Sequence, residues 1–207
     1  MKISEAHLLK VLMLSLGVIM LLTTIWASIR AEDFQEKALR NMGGIVFGVM
    51  TLTFGLNIND TYKTKASLMT GFVLVIGTAF ATSEFCNLAA ALAEGDGSFI
   101  ITVIIPFIGV IMGFVLSGSA GYISGKKKSR YVKVVWAMVL ASFAGISIMM
   151  MYRIIDVLPL YGTTPAFYAV LIGYFCYLAI FMYGVYAMFS DEIRSAMTPD
   201  ATAEEGS

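Results

Sequence analysis

Long apolar runs alternate with short polar segments along the whole chain. The runs cover 8–29, 39–58, 68–93, 99–119, 132–158 and 166–189. Even the shortest, wound as a helix rising about 1.5 Å per residue, reaches the roughly 30 Å of a hydrocarbon core. The segments between them have turn or surface chemistry: 31–40 is charged, 57–65 is polar, 94–98 is glycine-rich, 125–133 is basic, and 159–165 is bounded by prolines. Short connections make successive helices antiparallel neighbours. The pattern therefore predicts an all-α polytopic membrane protein, six transmembrane helices arranged as three sequential hairpins. Gly48, Gly109 and Gly173 fall at similar places in the even-numbered spans, a short match that raises internal repetition only weakly.

The first run is too long for the usual signal-peptide core of about 7–15 residues and has no clean small-x-small site before Arg30. It is expected to remain as a span. Residues 1–190 thus form the transmembrane domain. Residues 191–207 are polar, acidic and interrupted by Pro199, and are expected to be a mobile cytoplasmic tail.

Composition supports the same picture. Hydrophobic residues make up 58% of the chain and charged ones only 14%, against about 25% charged in soluble domains. Formal net charge is +0, so nothing points to nucleic acid. The distribution of the cations is more informative. Lys2, Lys10, Lys63, Lys65, Lys126, Lys127, Lys128, Arg130, Lys133 and Arg194 all fall on one side of six crossings. The other side has Arg30, Lys37 and Arg40 among acids in its first loop, and no Lys or Arg in its two later loops. The positive-inside bias puts both termini in the cytoplasm of a multi-pass cell-membrane protein. Trp26 and Tyr161 on the outer side, with Tyr131 and Tyr186 on the inner, suit interfacial belts.

Several chemistries are excluded. Cys86 and Cys176 are the only cysteines, far apart and inside apolar runs, and His7 is the only histidine. No disulfide framework, multi-histidine metal site or bis-imidazole haem can be built from these. The chain has no P-loop, HExxH or GxSxG motif, so neither an enzyme nor a cofactor protein is expected. It has no mid-helix lysine for retinal and no every-third-residue cation ladder for voltage sensing.

Two patterns remain. Gly109, Gly113, Ser117 and Gly121 recur every four residues, giving a small-residue stripe where another helix can approach closely. Gly44 and Gly48 repeat the spacing in the second span, as do Gly77 and Ala81 in the third. The second pattern is intramembrane charge, which costs about 2.5–3.5 kcal/mol at a helix centre on insertion scales and so is expected to face protein. Glu84, with Asn87 close by, lies in the third span; Arg153 and Asp156 lie in the fifth. All belong to the outer half, with Thr24 of the first span at similar depth. They define a candidate outward-facing polar pocket around Glu84 and Arg153, in a small transporter or channel for an ion or small polar solute. A structural ion pair is the competing reading of the same residues.

The alternative for the whole chain is a non-catalytic subunit of a larger membrane complex, docking through the aromatic last span and the Met149-Met150-Met151 run. Lipid is the certain neighbour; a second copy or other membrane subunits are the candidate partners.

Overall fold

The computed structural model describes residues 5–30, 34–62, 64–94, 99–161 and 164–198, and of these gives the backbone alone at 30, 34–40, 59–61, 94, 153–154, 156–161 and 166. The described chain is all-helical: α1 Glu5–Arg30, α2 Phe34–Thr61, α3 Lys65–Glu94, α4 Ile105–Gly118 preceded by a π-helical turn Ile100–Ile104, α5 Ala120–Ile123, α6 Val132–Tyr161, α7 Pro165–Met188 and α8 Asp191–Met197. Six of the helical stretches are long and apolar enough to cross a membrane. The chain is a polytopic membrane protein built of three sequential hairpins, α1–α2, α3–α4 and α6–α7.

The spans close into a ring in which α1 packs on α2, α2 on α3, α3 on α4, α4 on α6, α6 on α7, and α7 back on α1. α3 also touches α5, α7 and α8. It is the central element, with 56% of its apolar window buried against at most 39% in any other span. Leu22, Phe114, Ile148 and Met182 are exposed on four different spans, the outward apolar surface that lipid requires.

The π-helical turn has a local cause. Pro106 lacks an N–H, and its ring would collide with the carbonyl four residues back in a regular α-helix. The wider turn at Ile100–Ile104, closed by the Ile105 N–H donating to the Ile100 carbonyl, accommodates it. Apolar periodicity cannot distinguish such a turn from ordinary helix.

At the other end of this span the helix stops at Gly118. The Ser119 hydroxyl donates to the Leu116 carbonyl at 2.6 Å, and the chain turns again through Gly125, whose φ of 72° is the left-handed conformation glycine adopts without strain.

The segment expected to be a mobile tail begins otherwise. Its first seven residues form α8, with Asp191 and Glu192 in the first turn and Arg194 in the last, and with Ile193 and Met197 buried. That i, i+4 apolar pair supplies the docking face. Glu192 Oε1 accepts the Ala66 N–H at 2.8 Å, and Lys65 Nζ lies 3.1 Å from Glu5 Oε2. The start of α1, the start of α3 and α8 therefore meet at one end of the bundle, which also carries Lys126, Lys127, Lys128, Arg130 and Lys133. Residues 199–207 lie outside the described residues.

Candidate functional site

The small-residue stripes build the site. A Cβ placed on Gly77 would lie 2.5 Å from the Ser117 backbone nitrogen, and one on Gly113 would lie 2.7 Å from both the Gly77 oxygen and the Ala81 nitrogen. Backbone meets backbone between α3 and α4, an approach open only to residues with little or no side chain. The stripe ends at Ser117. Gly121 is not part of it, because α4 has already ended and its nearest neighbour is the Lys127 side chain at 3.4 Å.

One turn beyond Gly113 the same contact widens into a polar site. A Cβ on Gly109 would lie 2.6 Å from Glu84 Cγ and 2.9 Å from Met149 Cε. Gly109 thus leaves the space that the Glu84 side chain occupies, and Met149 of α6 covers it. From α7, Tyr177 comes within electrostatic reach of the carboxylate. Glu84 is 1% exposed and Tyr177 2%. Glu84 is therefore buried where α3, α4 and α6 meet, while the Arg153 side of the expected outward-facing pocket lies outside the described residues. By helix rise Glu84 stands about 28 Å from the start of α3 and about 15 Å from its far end.

The other expected site residues divide into three cases. Asn87 follows one turn further along α3 and is half-buried. Thr24 does not join Glu84 at the α3–α4 contact; it packs over Gly44 at the α1–α2 contact, its Oγ1 2.5 Å from where a Cβ would sit. The backbone of α6 passes through Arg153 and Asp156, but their side chains lie outside the described residues, as does the expected ion pair.

From Tyr177 a column of rings runs toward the basic end. Tyr177 and Phe181 have centroids 4.4 Å apart, Phe181 and Phe143 5.5 Å, Phe143 and Phe72 6.0 Å, and Phe72 and Tyr183 6.3 Å. The hydroxyls of Tyr177 and Tyr183 are buried without a hydrogen-bond partner among the described residues, an uncommon state for buried polar atoms. Tyr183 also lines a cavity of about 160 Å³ with Glu5, Tyr62, Thr64, Lys65 and Leu68. Threonines in the half of the bundle toward the basic end are turned onto their own helices: Thr51 donates to the Phe47 carbonyl at 2.9 Å and Thr70 to that of Ala66 at 2.7 Å. The sequence does not announce this cavity. Its only advance signals were Glu5 and Lys65, acid and base at the ends of two spans.

No group of three or more His, Cys, Asp or Glu side chains able to hold a metal ion occurs among the described residues. Comparison with known protein families, curated proteins and solved structures finds no match.

Proposed function

We propose that the chain is a small membrane transporter for a cation, the proton included, with Glu84 as the central binding group and the conformation described here an occluded one. The observation that supports this is a carboxylate 1% exposed, deep inside the bundle, on a glycine that makes room for it. An ionisable group at such depth is costly and is typically retained where it handles an ion or proton. Transport by alternating exposure suits the geometry better than an open channel. The rings from Tyr177 to Tyr183 bar the way inward, and a polar cavity lies beyond them. In this reading the basic end faces the cytoplasm, as the distribution of Lys and Arg favours.

The test is flux through purified protein in liposomes, with proton uptake followed by a trapped pH dye and sodium and potassium by ion-selective dyes. Glu84→Gln should melt as the parent does and lose most of the flux. Undiminished flux in that variant removes Glu84 from the route. Absence of all three fluxes from the parent protein favours the complex-subunit reading. For orientation, a cysteine at Ser129 should resist an impermeant maleimide in intact cells while one at Gly97 reacts; the reverse result inverts the topology.

A further inference from the structure

A second cavity, independent of the transport reading, lies at the basic end between α6 and α8. Its volume is about 550 Å³, and Val132, Lys133, Trp136 and Ala137 from α6 and Arg194 and Met197 from α8 line it. Positions 133, 136 and 137 share one helical face by their spacing. The apolar wall is held in place: Trp136 Nε1 donates to the Met188 carbonyl at 3.3 Å, its ring meets Phe189 edge-on at 5.0 Å, and Met197 is buried. The two cations stand at the exposed rim. Among the described residues no acidic side chain lines the groove.

Lys133 occupies the first turn of α6, so the groove sits where a span leaves the hydrocarbon for the headgroups. Tyr131, Val134 and Met138, all exposed, continue the outer surface of α6 beside it. An occupant must therefore offer negative charge at headgroup level and apolar chain below it. A soluble anion has no use for the apolar wall, and a neutral lipid has none for the paired cations.

We infer that this groove binds an anionic phospholipid, its phosphate held by Lys133 and Arg194 and its upper acyl chain lying on Trp136, Ala137 and Met197. Basic pockets at this face of membrane proteins hold acidic headgroups through the same chemistry.

Trp136 supplies the readout. The full chain carrying Trp26→Phe leaves it the only tryptophan, and brominated phosphatidylglycerol or brominated phosphatidylcholine, titrated into delipidated protein in neutral detergent, quenches it on contact. Phosphatidylglycerol should quench at far lower concentration. Lys133→Gln with Arg194→Gln should weaken that binding roughly 30-fold, about fivefold for each cation removed at a membrane surface. Lys126→Gln with Arg130→Gln removes equal charge outside the groove and should change affinity less than about threefold.

Equal quenching by the two lipids overturns the proposal, as does an equal loss in both double variants, which would mark diffuse attraction to a basic surface. Protection of Trp136 from brominated phosphatidylglycerol by inorganic phosphate alone also overturns it, by showing a plain anion site.

Discussion

The first two hairpins each bring backbone against backbone across their own seam at a glycine, which the described glycines of the third do not. In α1–α2, a Cβ on Gly17 would lie 2.9 Å from the Gly48 oxygen and 2.8 Å from the Leu52 nitrogen, and in α3–α4 Gly77 and Gly113 meet backbone to backbone. The glycines of α6–α7 meet side chains instead: Gly145 the Met112 thioether of α4, Gly173 Ile19 of α1, and Gly184 the rings of Phe143 and Phe72. Backbone contacts leave nothing that can bend. Thioethers and rings can rotate or slide. Glu84 stands at the seam between these two constructions, with Gly109 on the rigid side and Met149 and Tyr177 on the deformable one. If the site opens, α6–α7 is the hairpin built to move.

Substitution at the glycines tests this contrast. Gly113→Leu, the largest expected effect, forces a branched side chain against the Gly77 oxygen and Ala81 nitrogen. Overpacking in a closed core typically costs about 1–3 kcal/mol, and with no side chain able to give way the cost here should exceed about 3 kcal/mol. Recovery of monodisperse protein from a detergent column should fall to a small fraction. Normal yield and melting temperature would mean that α3 and α4 do not touch as described.

Gly145→Ala is the smallest expected effect. The new methyl meets only Met112 Sδ and Cε, each at 2.5 Å, and a thioether end swings aside readily. Alanine also favours helix over glycine by roughly 0.5–1 kcal/mol. The two contributions nearly cancel, so thermal melting in detergent should move by only a few degrees. A collapse comparable to that of Gly113→Leu would erase the distinction between the hairpins.

The spans were legible because they depend on length and apolarity alone, and both are written along the chain. The glycine stripe was legible too, but its partner was readable only in part. Along α3, Gly77, Ala81 and Glu84 descend against Ser117, Gly113 and Gly109 of α4, one step for one step, as antiparallel helices require. Reading both stripes as a single register would have placed Glu84 on Gly109 from sequence.

Other features were hidden for physical reasons. Gly121 fits the four-residue spacing, but a stripe persists only while the helix does, and Ser119 ends it. In α8, Ile193 and Met197 are too few to stand out from a polar segment, and their burial depends on α5 and the start of α3 being nearby. The column from Tyr177 to Tyr183 draws its rings from α3, α6 and α7, a meeting that no local pattern encodes.

The contact between α1 and α7 has a consequence for biosynthesis. Of the six spans these are the first and last in chain order, and the ring cannot close until the later one has entered the membrane. At about 5–20 residues per second of translation, the face of α1 that will receive Gly173 waits on the order of 10–30 s, covered by lipid or by the insertion machinery. Once α4 has been made, Glu84 has Gly109 beside it, but it waits for α6 and then α7 to bury it, so its shelter is completed only late in that interval.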